Sequence, residues 1–104
     1  MVRMIIALDW DNTYTRDTKF WDKFLALNAE WGNTIYIVTS RGMDTPIEFI
    51  PTGVDGVIYC NYRAKKDVTR QSGIDIQIWI DDDPYYITTG FITDDPLVQL
   101  LKEV

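Results

Sequence analysis

Two aspartates one residue apart, Asp9 and Asp11, follow an apolar run that begins at Ile5. Aspartate is a poor strand former, so a buried strand that ends on this pair suggests a chemical role for it. Two carboxylates this close repel each other unless a cation lies between them, and Mg2+ prefers such oxygen ligands. The pair therefore predicts a Mg2+ site. The same residues also fit a simpler interpretation, a loop cap followed by a turn.

Polar side chains follow three later apolar runs as well. In chain order they are Thr39, Ser40 and Arg41; then Arg63, Lys65 and Lys66; then Asp81, Asp82 and Asp83. In open parallel sheets, ligands bind beyond the carboxyl ends of the strands. These residues therefore predict one shared site. Arg41 and Arg63 could bind substrate there, or they could be ordinary exposed arginines with no role in it.

The absence of histidine from the sequence restricts the chemistry. It excludes Ser-His-Asp and Cys-His sites and zinc centres with histidine ligands, so acid–base work falls to carboxylates, lysine, tyrosine or water. The formal net charge of −6 argues against an extended nucleic-acid surface. An anionic substrate stays open, because a bound divalent ion inverts the field inside one cleft.

The composition is that of a soluble globular protein, with 46% hydrophobic and 25% charged residues among 104. No apolar run is long enough to span a bilayer, and we expect no signal peptide. Cys60 is the only cysteine, so no internal disulfide forms, which fits a reducing cytoplasm. We expect one domain over residues 1–104 in the cytoplasm, without membrane contact. Whether it forms a homo-oligomer stays open.

Hydrophobic periodicity predicts strands that alternate with helices. The strands are predicted at residues 4–10, 34–39, 54–60 and 74–80. The helices are predicted at residues 15–31, 64–72 and 95–102. A short helix or turn is predicted at 43–51, a turn at 84–87 and a short edge strand at 90–93. The alternation predicts an α/β fold, a three-layer Rossmann-like domain with a mainly parallel sheet covered on both faces.

The first helix has the clearest pattern. Asp17 or Thr18 is available as its N-cap. Apolar residues recur at helical spacing and predict its buried face, at Phe20, Phe24, Leu27 and Trp31.

The order of these motifs resembles the haloacid dehalogenase-like (HAD) superfamily of phosphohydrolases. Its motifs are matched, in order, by Asp9, Asp11 and Thr13; by Thr39; by Lys65 or Lys66; and by Asp81 and Asp82. Asn12 stands where glycine is commoner in the family, and asparagine tolerates the positive φ of such a loop. The connections are too short for the cap domain that many members insert. The chain thus resembles capless members, which are common among phage-encoded proteins.

The resemblance implies hydrolysis of phosphate monoesters with Mg2+ through an aspartyl-phosphate intermediate. Asp9 would be the nucleophile, and Asp11 would protonate the leaving oxygen and then activate water. Asp9, the backbone carbonyl of Asp11 and Asp82 would hold Mg2+. Thr39 would donate to a phosphoryl oxygen, and Lys65 would neutralise charge.

The resemblance leaves several neighbouring residues open. Lys65 is favoured over Lys66 because Lys66 adjoins Asp67, the predicted cap of the next helix. Asp81 would orient the lysine or a metal-bound water. Thr13 would shape the loop rather than touch substrate.

An open cleft favours a substrate whose own bulk excludes water. A phosphorylated small molecule or a polynucleotide end fits, with a nucleotide or polynucleotide-end phosphate as the first expectation. One alternative is a non-catalytic HAD-like module that binds phosphate or metal. Another is a receiver domain, but that family carries its phosphorylated Asp after the third strand and its Lys last. Here no Asp ends the third strand, and Lys65 precedes Asp81.

Overall fold

The fold is taken from a computed structural model that describes residues 3–90. Its four strands form one parallel sheet in the order β3-β2-β1-β4. The strands are β1 Ile5–Leu8, β2 Thr34–Thr39, β3 Gly56–Tyr59 and β4 Ile78–Ile80. The helices are α1 Thr18–Glu30, α2 Lys65–Gln71 and α3 Tyr85–Thr88, with a 3-10 turn at Tyr14–Arg16. The predicted α/β class with a parallel sheet is confirmed.

Strand β1 lies in the middle of the sheet and sets the register of its neighbours. Ile5 pairs with Thr34 of β2, and Ile6 pairs with Ile78 of β4. Because all four strands run the same way, the segments that follow them leave from the same edge of the sheet. This edge holds the residues that the sequence marks for chemistry.

The side chains of β1 alternate between two apolar clusters, as the two-residue period of a strand requires. Ile6 and Leu8 belong to a cluster that includes Leu25 of α1. Ala7 belongs to a second cluster, against which Val68 of α2 packs. Burial of apolar side chains on both sides holds β1 rigidly, and with it the residues that follow at Asp9.

Helix α1 begins later than predicted, because residues 14–16 first form a 3-10 turn. The backbone N–H of Phe20 donates to Asp17 Oδ1 at 3.1 Å, so Asp17 is the N-cap of the two candidates. That bond satisfies one of the amide groups that have no partner inside the first turn.

The predicted apolar face of α1 is only partly correct. Phe20, Leu27 and Trp31 are each more than half exposed. The buried positions are instead Leu25 and Asn28. The Asn28 side-chain amide donates to a backbone carbonyl of its own helix and accepts from Asn33. Both ends of this buried polar side chain therefore have hydrogen-bond partners.

Several other elements are shorter than their hydrophobic patterns. Strand β4 contains only the last three residues of the predicted 74–80, because it pairs solely opposite Ile6 to Leu8 of β1. Residues 43–51 contain turns and no helix, and the turn predicted at 84–87 is the short helix α3. The predicted edge strand at 90–93, apart from Gly90, and the helix at 95–102 lie outside the described residues.

Within residues 3–90, no helix has both the length and the apolar character needed to cross a membrane.

Candidate functional site

A cleft of about 430 Å3 opens at the carboxyl edge of the sheet. Its lining residues include Asp9 after β1, Ser40 and Arg41 after β2, Lys65 at the start of α2 and Asp82 after β4. Residues that lie far apart in the sequence therefore share one space, as the parallel topology predicts.

Lys65 is the buried cation of this cleft, with 2% of its surface exposed. Its Nζ donates to Asp9 Oδ1 at 2.7 Å and to Asp81 Oδ2 at 2.5 Å. A buried ammonium requires such partners, since desolvation without them is very costly. Lys66 is exposed, because the next residue of a helix points about 100° away, at 3.6 residues per turn. Of the two candidate lysines, the structure brings Lys65 to the site.

Thr13 links the two carboxylates that the resemblance assigns to the metal. Its hydroxyl lies 2.9 Å from Asp9 Oδ2 and 3.1 Å from Asp82 Oδ1, and it accepts from the backbone N–H of Asp82 at 3.2 Å. A hydroxyl has one hydrogen, so it can donate to only one of the two carboxylates at a time. The other carboxylate then needs a proton or a cation to offset its charge.

Three carboxylates lie close enough to share an ion. Asp9, Asp81 and Asp82 each offer one oxygen, and these oxygens all lie within 4.8 Å of one another. In an octahedron with ligands at about 2.1 Å, adjacent oxygens are about 3 Å apart and opposite ones about 4 Å. A small inward movement of the carboxylates therefore suffices, and the triad fits a metal ion. The oxygens of Asp9 and Asp82 therefore lie close enough to share a metal ion, and Mg2+ as that ion stays a prediction.

The close packing of these charged side chains shifts their pKa values. Burial, and after it the hydrogen bond with the Asp82 carboxyl, raise the pKa of Asp9 to about 7, although Lys65 acts in the opposite direction. The Asp9 side chain, and Thr13 after it, hold the pKa of Asp82 below its usual value. Burial alone would lower the pKa of Lys65, but Asp9 and Asp81 outweigh it and raise that pKa. Lys65 is therefore charged at neutral pH, while Asp9 readily holds a proton when no metal is bound.

The Asp11 side chain turns away from this triad. Arg41 donates to both of its carboxylate oxygens, from Nε at 3.0 Å and from Nη2 at 2.7 Å. The same guanidinium donates to the carbonyl of Pro46 at 2.9 Å and to Glu48 at 3.2 Å. The bond to Asp11 raises the pKa of Arg41 above its usual value. The backbone carbonyl of Asp11 as a metal ligand stays a prediction.

Thr39 and Ser40 occupy different depths at the end of β2. Thr39 is fully buried, and its Oγ1 accepts from the backbone N–H of Arg41 at 3.2 Å. Ser40 lines the cleft, and its carbonyl accepts from the backbone N–H of Tyr62 at 2.7 Å. Thr39 thus braces the turn that carries Arg41 but does not line the cleft, and its role toward phosphate stays a prediction.

No protein-family model, curated protein or solved structure matches this chain. The resemblance to HAD phosphohydrolases consists of the order of four motifs, and the segments that carry those motifs leave one edge of one sheet.

Four residues of the site, Thr45 of the cleft lining among them, carry no motif and were not predicted. Tyr62 and Tyr86 line the cleft. Glu48 bonds Arg41 and also accepts from Trp10 Nε1 at 3.0 Å. The two tyrosines follow strand ends, so the rule that selects the acidic residues could have found them. Glu48 lies in an irregular loop and has no such signal.

Proposed function

We propose that the protein is a Mg2+-dependent phosphomonoester hydrolase of the HAD type, in which Asp9 carries the phosphoryl group. The observation that carries this proposal is the set of contacts around the buried carboxylate of Asp9. Asp9 accepts from Lys65 on one oxygen and from Thr13 on the other, with two further carboxylates within reach of a shared ion. A fixed nucleophile beside a cation and a metal site is what attack on an anionic phosphate requires.

In the first half of the reaction, an Asp9 oxygen bonds to phosphorus and the bond from phosphorus to the leaving oxygen breaks. Asp11 gives that oxygen its proton. In the second half, Asp11 takes a proton from water, the water oxygen bonds to phosphorus, and the bond to Asp9 breaks to release phosphate. Mg2+ bound by Asp9, Asp82 and the Asp11 carbonyl would supply charge neutralisation for the approaching dianion.

Lys65 can serve both the enzyme and the substrate. An ammonium has three N–H donors, and two of them contact Asp9 and Asp81. The third is left to donate to a phosphoryl oxygen. In this proposal Asp81 orients Lys65. Thr39 is fully buried and does not line the cleft, so its hydroxyl would donate to the phosphate only where the substrate reaches the end of β2.

The substrate we propose is a nucleotide or a polynucleotide-end phosphate. The cleft is open and of a size suited to a small organic molecule. The net charge of −6 limits contact with a polynucleotide to its end. For the domain as a whole we infer the three-layer Rossmann-like arrangement, since the two apolar clusters join α1 and α2 to opposite sides of β1.

The test is phosphate release from a generic phosphomonoester in the presence of Mg2+. The native protein should release phosphate, and Asp9→Asn should release none while its circular dichroism and melting temperature show a folded protein. Asp75→Asn is the matched control, since Asp75 is exposed and lies outside the cleft. Full turnover by Asp9→Asn would end the proposal.

A second candidate is a non-catalytic module that binds a metal ion or a phosphate group. The observation in its favour is the pairing of Arg41 with Asp11, which occupies both carboxylate oxygens of the proposed proton donor. This candidate predicts a rise in melting temperature with Mg2+ but no phosphate release from any monoester. The same assay therefore decides between the two.

A further inference from the structure

Two tyrosines that the proposed chemistry does not use line the cleft, Tyr62 and Tyr86. Tyr62 follows β3 and Tyr86 lies in α3, after β4; these are the two outer strands of the sheet in the described residues. One aromatic residue after each outer strand thus lines the cleft that also holds Asp9 and Lys65.

Tyr62 is placed by an unusual turn. Tyr62 and the preceding Asn61 have backbone φ values of +64° and +51°, a region that residues other than glycine rarely occupy. Their backbone N–H groups donate to the carbonyls of Ser40 at 2.7 Å and Arg41 at 3.1 Å. Gly42 lies so close that an added Cβ would come within 2.6 Å of Asn61 Oδ1. These contacts hold Tyr62 at a fixed position beside the end of β2, and such strain is typical of functional sites.

Tyr86 is supported by its own helix. Its backbone N–H donates to the carbonyl of Asp83 at 3.2 Å, which ties the backbone of Tyr86 to the acidic segment after β4. The ring of Tyr85 packs edge-on against it, with centroids 5.3 Å apart and an angle of 79°. Tyr86 is therefore a supported ring beside the metal triad.

The size of the cleft leaves room for more than a phosphate group. Its volume of about 430 Å3 lies within the range of about 300–1,000 Å3 for small-molecule sites and is much more than a phosphate group fills. Aromatic side chains stack on nucleobases regardless of sequence, because every base has a π-face. A sugar or polyol phosphate has no such face.

We propose that Tyr62 and Tyr86 bind the nucleobase of a nucleoside phosphate whose phosphate group lies at Asp9. This rests on the proposed phosphatase function. The nucleoside phosphate is either a free mononucleotide or the terminal nucleotide of a strand, which share this chemistry. Since the net charge of −6 disfavours longer contact, recognition is confined to one nucleotide.

The experiment uses substrate pairs that differ only in the base. One pair is adenosine 5′-monophosphate and ribose 5-phosphate. The other is a single-stranded oligonucleotide with a 3′-terminal phosphate and the same strand with an abasic 3′-terminal residue. We expect kcat/KM to be about tenfold higher or more for a base-bearing member. The pair that shows the preference identifies the source, mononucleotide or strand end.

The tyrosines are then tested one at a time. Tyr62→Ala and Tyr86→Ala should each lower kcat/KM for the base-bearing substrate about tenfold more than for its base-free partner, mainly through KM. Tyr62→Phe and Tyr86→Phe keep the ring and should keep the preference. Phe20→Ala removes an exposed aromatic of α1 outside the cleft and should leave both values unchanged. Equal losses on both members of a pair, or no preference in the native protein, would overturn the base site.

A binding measurement separates this inference from the proposed function. Asp9→Asn in Mg2+ is titrated by calorimetry with adenosine 5′-monophosphate, the terminal-phosphate strand and their base-free partners. Tighter binding of a base-bearing ligand, lost on adding Tyr62→Ala, supports the base site even if the native protein hydrolyses nothing. Hydrolysis without any preference for a base would retain the phosphatase and refute the base site.

Discussion

The guanidinium of Arg41 binds both carboxylate oxygens of Asp11, at 3.0 and 2.7 Å, in a two-pronged ion pair at the mouth of the cleft. A carboxylate whose two oxygens are both bound by a guanidinium is not free to contact a leaving group. The pair must therefore open before Asp11 can act. A substrate phosphate offers Arg41 another anion, so exchange of Arg41 from Asp11 to phosphate would open it.

Substitution of Arg41 tests this exchange. Arg41→Gln should raise KM for a phosphomonoester about tenfold or more, because a charge-assisted bond to the phosphate is lost. The stability change should be at most about 1 kcal/mol, since the pair is partly exposed. Steady-state kinetics and melting curves measure both. Arg70→Gln, an exposed change on α2, is the control, and an unaltered KM in Arg41→Gln would refute the exchange.

Lys65→Met should abolish activity and destabilise the protein. It leaves the Asp9 and Asp81 carboxylates without their buried counter-charge, and breaking a buried pair typically costs about 3–5 kcal/mol. Urea unfolding with and without Mg2+ provides the measurement, and Mg2+ should recover part of the loss. Lys66→Met makes the same change of residue type at an exposed side chain. It should lower the free energy of unfolding by less than about 0.5 kcal/mol. Similar effects of the two substitutions would contradict the assignment of Lys65.

Thr13→Val keeps the shape of the side chain and removes its hydroxyl. Asp9 and Asp82 then lose their shared hydrogen-bond partner, and the free energy of unfolding without metal should fall by about 1–3 kcal/mol. The stabilisation by Mg2+ should grow, because the ion then offsets a larger repulsion. Chemical denaturation at several Mg2+ concentrations tests both expectations. Unfolding curves that match those of the native protein would show that Thr13 has no part in the cluster.

Metal binding should depend on pH through Asp9. Its pKa, about 7 when folded without metal, exceeds its ordinary value of 3.8, so the folded state holds a proton that the unfolded state releases. This contribution to stability is complete below about pH 4 and is lost as the pH rises through about 7. Mg2+ must displace the same proton, so its stabilising effect should increase over that upper range.

The measurement is the rise in melting temperature with Mg2+ at about pH 5.5 and about pH 8. The native protein should show the larger rise at the higher pH. Asp9→Asn lacks the carboxylate that would bind the ion, so its melting temperature should rise little with Mg2+. Because it also has no proton to lose at that position, this small rise should be nearly independent of pH. A native response that is the same at both pH values would contradict the raised pKa.

The strand pattern of the sequence predicts much of the sheet. Residues 34–39 are all β-branched or aromatic, and strand β2 begins and ends at the predicted residues. Residues 74–80 carry a similar pattern, but only Ile78–Ile80 pair, because β1 offers β4 just three partners. The length of a strand depends on its neighbour as well as on its own residues.

The apolar stripe of α1 shows a similar limit. Its period predicts the helix, yet Phe20, Leu27 and Trp31 are largely exposed and Leu25 is buried. Hydrophobic spacing identifies a helix from local residues alone, whereas the side that is buried depends on how the helix lies against the sheet.

The order of apolar runs and polar strand ends, read from the sequence alone, determined that Asp9, Lys65 and Asp82 share one edge of a parallel sheet. That inference needs only local periodicity and the direction of the strands. Only the tertiary structure decided which polar side chains pair: Lys65 with Asp9 across 56 positions, Thr13 with Asp82 across 69, and Arg41 with Asp11 across 30. The physical reason is that hydrogen bonds and ion pairs are set by distances of about 3 Å between atoms, and spacing along the chain does not specify those distances.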